Sequence, residues 1–267
     1  MKNNTPIGIF DSGVGGLSVL SNIHRLLPNE SLAYVADSLY APYGAKNSQV
    51  VIDRSIAATD FLVNQQNAKM IVVGCNTATA TAINQLRTSF KVPIIGMEPA
   101  VKPATEATIV NKVGVLATTG TLESAKFSAL LASHSEEIEF YIQPCPGLVD
   151  LIEQGLLYDS KLYRLLKIYL EPFKKNNVDT IVLGCTHYIF IRKLIEELMG
   201  PEVEIIDTGN AVAKQVERKL IEFNLQNHTL DVQNSIWTNH PDEDFKKIIK
   251  LFLTKSNFRY KFFSNWS

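Results

Sequence analysis

The chain has 267 residues, with 26 Lys and Arg against 27 Asp and Glu, and a net charge of −1. That balance argues against nucleic acid or an anionic membrane as a main partner, because both select for a basic excess. An apolar fraction of 46% and a charged fraction of 20% exclude a disordered, collagenous or coiled-coil chain and predict a soluble globular one with a true core.

Short runs rich in Val and Ile alternate with segments of helical period. PIGIF (6–10) reads as a strand, and FDSGVGGLS (10–18) as its turn into a helix. Asp11 and Ser12 emerge at the strand's carboxyl end, and Gly13, Gly15 and Gly16 form the turn. Asp11 reads as a helix N-cap, as an acceptor for a substrate ammonium group or a neighbouring thiol, or as both at once. The turn is not a dinucleotide fingerprint, since that spacing requires glycine where Ser18 stands. LAYVA (32–36) is a second strand, and Pro42, Tyr43 and Gly44 form a turn whose backbone N–H groups are available to a carboxylate. Across 47–66 the residues Val50, Val51, Ile56, Ala57, Phe61 and Leu62 recur every three or four positions, which predicts a crossover helix. MIVVG (70–74) and PIIG (93–96) complete a first set of strands.

The second half begins the same list again with KVGVLA (112–117), IEFYI (138–142), TIVLG (180–184) and VEIID (203–207). IVVGCNTA at 71–78 matches IVLGCTHY at 181–188, which sets Cys75 and Cys185 110 residues apart. ATTGT (117–121) answers DSGVG with Thr118 and Thr121, hydroxyls able to bind substrate or to cap a helix. Glu153 follows an apolar stripe and by default is a solvated helix residue; Cys145, in QPCPGL, has no counterpart in the first half and reads as packing. After 209 come a helix (210–223), a short strand near SIWT (235–238), a further helix and the aromatic end KFFSNW, all expected to fold back onto the first half.

The predicted fold is α/β, with two pseudo-symmetric parallel-sheet domains facing each other across an active-site cleft. The first comprises 1–98 and 209–267 and carries Cys75; the second comprises 99–208 and carries Cys185, with a short hinge near MEPAVKPA (97–104). No apolar run approaches a membrane span, and MKNNTPIGIFDSG lacks a signal peptide's apolar stretch. A cytoplasmic location is therefore expected, in which the three cysteines are free thiols.

Ligands of parallel sheets bind at the carboxyl edge of the strands, where each following helix begins. Both Gly-Cys pairs fall there, followed by Asn76 and Thr77 in one copy and by Thr186 and His187 in the other, side chains suited to binding a carboxylate. One cysteine alone is more often a small buried hydrophobe; two in register, approaching one ligand from opposite sides, fit inversion of a stereocentre. One thiolate removes a proton from carbon while the opposed thiol supplies one to the other face. Cysteine suits this because its ordinary pKa of about 8.5 keeps both forms accessible. His187 is a satisfied helix-start histidine or tunes the Cys185 thiol.

FDSGVGGLS, APYGAKN, VGCNTATA, GMEPA, GVLATTGT, CPGLVDLIEQG, LGCTHY and IIDTGN together resemble the glutamate racemase family, in that family's order over residues 10–210. The resemblance implies a cofactor-independent isomerase that converts L-glutamate to D-glutamate for peptidoglycan, with no metal. It implies that Cys75 acts on the D-enantiomer's proton and Cys185 on the L-enantiomer's. Asp11, Glu153 and His187 match positions that assist the thiols. Substrate contacts fall on Asp11, Ser12, Pro42, Tyr43, Gly44, Asn76, Thr77, Thr118, Thr121, Thr186 and His187. The family often forms homodimers, which surface composition does not show. Three rivals stand beside it: a relative acting on aspartate, hydantoins or maleate; a two-lobed binding protein with inert thiols; and a thiol redox protein, weakened by the lack of C-x-x-C.

Overall fold

The computed structural model describes residues 4–134, 137–229, 231–240, 243–253 and 258–263. In chain order the first half runs β1 (Ile7–Asp11), α1 (Leu17–Leu26), β2 (Leu32–Ala36), α2 (Ser48–Asp60), β3 (Met70–Val73), α3 (Asn76–Ser89), β4 (Ile94–Ile95) and α4 (Val101–Ala107). There follow β5 (Lys112–Ala117), α5 (Thr119–Leu122), α6 (Ala125–Ala132), β6 (Glu139–Pro144), α7 (Leu148–Glu153), α8 (Ser160–Lys175), β7 (Thr180–Leu183), α9 (Arg192–Met199) and β8 (Glu204–Ile206). The chain ends with α10 (Gly209–Glu222), β9 (Asn234–Thr238), α11 (Glu243–Phe252) and β10 (Phe258–Phe262).

The strands form two parallel sheets, ordered β10-β9-β2-β1-β3-β4 and β6-β5-β7-β8. The order β2-β1-β3-β4 in the first is repeated as β6-β5-β7-β8 in the second, so the duplication in sequence is a duplication of topology. The register repeats as well. Phe10 pairs with Val73 in one sheet and Leu116 with Leu183 in the other. Just beyond, Gly74 N–H donates to the Phe10 carbonyl and Gly184 N–H to the Leu116 carbonyl, each at 2.7 Å. A Cβ on either glycine would press on that same carbonyl, at 3.2 Å for Gly74 and 2.9 Å for Gly184. Glycine at this point lets the chain hug the central strand and deliver a cysteine at the carboxyl edge.

Strands buried on both faces, such as MIVV and TIVL, are continuous apolar runs because helices cover both sides. One cluster of buried side chains runs through both halves, from Ile7, Leu17 and Leu20 to Tyr188 and Ile195. A second, around Val51, Leu62 and Leu86, lies under α2 and α3. A third joins Val101 and Ala104 of α4 to Val113 and Val115 of β5. The two sheets are therefore joined by packed side chains rather than by a free linker.

Beyond residue 209 the chain returns to the first sheet: β9 pairs with β2, and β10 with β9. In place of the aromatic end expected from sequence, Phe258–Phe262 is an edge strand with Phe258 buried and Arg259, Tyr260 and Lys261 exposed. Charged alternate positions suit an edge and hide it from a search for apolar runs. Residues 264–266 of KFFSNW lie outside the described residues. Among the described residues no helix is long and apolar enough to cross a membrane.

Beneath the first sheet, Lys69 Nζ meets Glu30 Oε2 at 2.6 Å with both side chains buried, and Glu30 also accepts from Asn227 N–H at 2.8 Å. The pair ties β3, the turn before β2 and the returning segment together. Lys69→Met is expected to lower stability by about 3–5 kcal/mol, because it leaves a buried carboxylate without its counter-charge. Urea unfolding measures this; a loss below about 1 kcal/mol would contradict it.

Candidate active site

Cys75 precedes α3 and Cys185 precedes a 3₁₀ segment, Thr186–Ile191, so each sulfur sits where a helical turn presents free backbone N–H groups. Ala78 N–H points at the Cys75 sulfur at 3.4 Å, and the Ser12 hydroxyl lies against it too. The two thiols are only 5% and 8% exposed, and lie close enough that charge on Cys185 raises the proton affinity of Cys75. Burial, reinforced by the Asp11 carboxylate, pushes the Cys75 thiol well above its ordinary range. Cys75 thus rests as a thiol.

Asp11 ends β1 between the two sulfurs' surroundings. It is fully buried, accepts from Gly13 N–H at 2.8 Å, and takes the Thr186 hydroxyl at 3.1 Å from the other half of the molecule. Burial raises its pKa to about 6, against the lowering pull of His187 and of the Gly13 and Thr186 bonds. It is not the N-cap of α1, a position that belongs to Gly16.

The Cys185 sulfur lies 3.7 Å from Nδ1 of His187, whose Nε2 makes a short hydrogen bond to Glu153 Oε1. Burial opposes charge on this imidazole, but its bonds to Cys185 and Glu153, and their negative charges, raise its pKa well above the ordinary value. Glu153 also accepts Val14 N–H of the glycine turn at 2.8 Å. It is therefore no solvated helix residue: it bridges α7, the glycine turn and His187.

The glycine turn fits this junction closely. A Cβ at Gly13 would overlap the Glu153 carboxylate, and one at Gly15 would overlap the Thr186 hydroxyl and the His187 ring. Tyr34, which the sequence did not suggest, donates its hydroxyl to the Gly13 carbonyl at 2.5 Å and fixes the turn from below.

A second group of side chains lies at the start of α3 and α5. The Thr77, Thr118 and Thr121 hydroxyls hydrogen-bond one another, at 2.9 Å for 77–118, 3.2 Å for 77–121 and 3.0 Å for 118–121. Gly44 leans on Thr118, and Tyr43 beside it is buried. Thr118 stands at the N-cap of α5 but its side chain makes no capping bond. Asn76, 4% exposed, has both amide atoms buried and without a hydrogen-bond partner. An amide left in that state is unusual and suits a ligand that completes it. Pro42 and Glu153 share the wall of a cavity of about 220 Å³ with Ser38, Asp150 and His240.

Every candidate named from sequence thus falls at one junction between the two sheet edges. Cys145, 2% exposed, also lies close enough to Cys185 to feel its charge, and its thiol donates to the Gln143 carbonyl at 3.3 Å. Residues missed from sequence are Tyr34, Asp37, Arg54 and Asn239. Asp37 comes directly after a strand, much as Asp11 ends one, which was a usable signal; the others depend on register. Among the described residues no group of three or more His, Cys, Asp or Glu converges as a metal site would. Chemically, the arrangement offers two buried thiols, an imidazole whose proton affinity is raised beside Glu153, and a shell of hydroxyl and amide groups.

Residues 7–216 match the family model of Asp/Glu/hydantoin racemases. The chain is 48% identical over 247 residues to a glutamate racemase of Pseudomonas syringae pv. tomato, covering 92% of this chain and 90% of that protein. Among solved structures it is similar to a glutamate racemase isoform of Bacillus anthracis, with a TM-score of 0.87, 30% identity and 98% of each chain covered. It is also similar to a Francisella tularensis glutamate racemase in complex with D-glutamate, with a TM-score of 0.85, 29% identity and 98% of each chain covered.

Proposed function

The chain belongs to the Asp/Glu/hydantoin racemase family and is an isomerase, and from that premise we propose that it interconverts L- and D-glutamate by a two-thiol proton transfer at Cα. The observation that carries the mechanism is the pair of Gly-Cys turns, one ending β3 and one ending β7, delivered by the same local geometry to one buried junction. The lobes are taken as 1–98 with 209–267, and 99–208. The substrate assignment is supported by the relatives, which are glutamate racemases.

In the direction from L to D, the Cys185 sulfur takes the Cα proton and the Cys75 thiol delivers its own to the opposite face. Each sulfur ends in the other's starting state. The reverse reaction exchanges the roles, so one turnover neither adds nor removes a proton overall. The difficulty is the weak acidity of an amino-acid α-proton. The amide of Asn76 and the hydroxyls of Thr77, Thr118, Thr121 and Thr186 are placed to meet the substrate's carboxylates, with backbone N–H groups of the Ser12 and Tyr43–Gly44 turns beside them. Asp11 is placed to hold the ammonium group. In a site closed to water these fixed dipoles stabilise the developing carbanion. His187, held cationic by Glu153, keeps a proton donor against the Cys185 sulfur. No cofactor takes part in this scheme, and its product supplies peptidoglycan synthesis in the cytoplasm.

Asp11 sets the expected pH response. It must be ionised to hold an ammonium group, and its pKa is about 6. The value of kcat/KM is therefore expected to fall tenfold per unit below about pH 6, and Asp11→Asn to remove that limb from the residual activity. An unchanged limb in Asp11→Asn would contradict the assignment. The same residue acts oppositely on stability. Its folded pKa lies above the ordinary 3.8, so its contribution is full below about pH 3.8 and is lost as pH rises through about 6.

The decisive assay supplies L-glutamate to purified protein without pyridoxal phosphate and quantifies the D-enantiomer. Turnover that depends on an added pyridine cofactor, or on aspartate or a hydantoin in place of glutamate, would overturn the proposal.

A further inference from the structure

Where β2 and β9 end, the sheet sets two polar residues side by side. Ala36 pairs with Thr238, so the residues that follow them, Asp37 and Asn239, leave the sheet together. Both are buried, at 0% and 5% exposure. Asn239 Nδ2 donates to Asp37 Oδ1 at 2.5 Å, while its own Oδ1 accepts Leu39 N–H at 3.0 Å. One amide thus fixes a carboxylate and the turn that follows it.

Asp37 is in turn the anchor of the Tyr43–Gly44 turn. Its Oδ2 accepts the Tyr43 hydroxyl at 2.6 Å, and Arg54 of α2 donates to the same carboxylate through Nε at 2.8 Å and Nη2 at 2.6 Å. Gly44, next in the chain, stands so close to Thr118 that a Cβ would overlap its side chain. The height of this turn over Thr118 therefore follows from where Tyr43 is held, which follows from where Asp37 points. Arg54 neutralises Asp37 and grips both its oxygens; Asn239 adds a further bond to Oδ1 and ties the carboxylate to the backbone of Leu39.

We propose that Asn239, carried by the segment that returns to the first sheet, is a positioning residue for substrate binding, acting through Asp37 and Tyr43 to set the Tyr43–Gly44 turn against Thr118. The proposal rests on the glutamate reading for its substrate but on the hydrogen-bond chain alone for its mechanics.

The test is a double-variant cycle of Asn239→Ala with Tyr43→Phe, reading KM and kcat for L-glutamate beside thermal unfolding. Asn239→Ala is expected to raise KM about tenfold, the worth of one hydrogen bond to a charged group, with kcat held within about twofold. In the Tyr43→Phe background the same change is expected to move KM by less than about twofold, since its path runs through that hydroxyl. An unmoved KM with turnover reduced in step with the folded fraction would mean a merely structural role and overturn the proposal, as would equal KM effects in both backgrounds. Asn239→Ser gives the same readings where the alanine variant folds poorly. Amide hydrogen exchange over residues 43–46 checks the brace without any substrate. Faster exchange in Asn239→Ala supports it, and unchanged protection overturns it, whatever the enzyme's substrate proves to be.

Discussion

Replacing either Cys75 or Cys185 by alanine is expected to lower racemisation by about 10²- to 10⁴-fold, the range that a positioned acid or base contributes. In a two-thiol scheme each sulfur is the base in one direction and the acid in the other. Removing one therefore disables both directions, and because enantiomers are equal in energy the two rates must fall together. Serine does not rescue, since its hydroxyl keeps the shape but cannot release a proton near neutral pH. Cys145→Ala is the comparison: it removes an equally buried thiol from a packing site and is expected to lower stability while sparing turnover. Circular dichroism with each enantiomer reads all of this. More than a tenth of wild-type turnover in either Cys75→Ala or Cys185→Ala would refute the two-thiol mechanism.

Gly15→Ala is expected to lower kcat/KM by about 10²-fold or more, because misplacing catalytic groups by an ångström costs that much. The added methyl has nowhere to go: it overlaps the Thr186 hydroxyl and the His187 ring, which belong to the other half of the molecule. To admit it the sheet edges must part, pulling Thr186 from Asp11 and His187 from Glu153. Gly200→Ala separates this from general damage. Gly200 has a φ of +95° that favours glycine, and nothing lies within 4 Å of its added Cβ, so it is expected to lose about 1–3 kcal/mol of stability and keep its turnover. A Gly15→Ala enzyme within tenfold of wild type would show that the junction tolerates opening and that the site is less tightly assembled than described.

Much of this was legible in the sequence, for physical reasons. Buried parallel strands write themselves as apolar runs, and the tight approach of Gly74 and Gly184 to the neighbouring strand forces glycine before each cysteine, so the pair could be seen as a repeat. Asp11 and Ser12 were visible because a strand's last residues arrive where ligands bind. Glu153 defied its default because its partners, Val14 and His187, lie 139 and 34 residues away in sequence, and no helical pattern encodes such contacts. Asn239 and Asp37 were missed for a related reason: they meet only once β9 is known to lie beside β2, a pairing between opposite ends of the chain. The last strand, β10, was missed because this edge strand buries only Phe258 and carries Arg259 and Lys261 at alternate positions.

The most direct test of two opposed acid–base groups is racemisation of L-glutamate in heavy water, stopped at low conversion, with both enantiomers analysed for label at Cα. Nearly every D-glutamate formed is expected to carry deuterium at Cα, supplied by the second thiol, while the remaining L-glutamate stays protiated. D-glutamate that retains the original hydrogen, or substrate that acquires label faster than product appears, would mean that one group serves both faces.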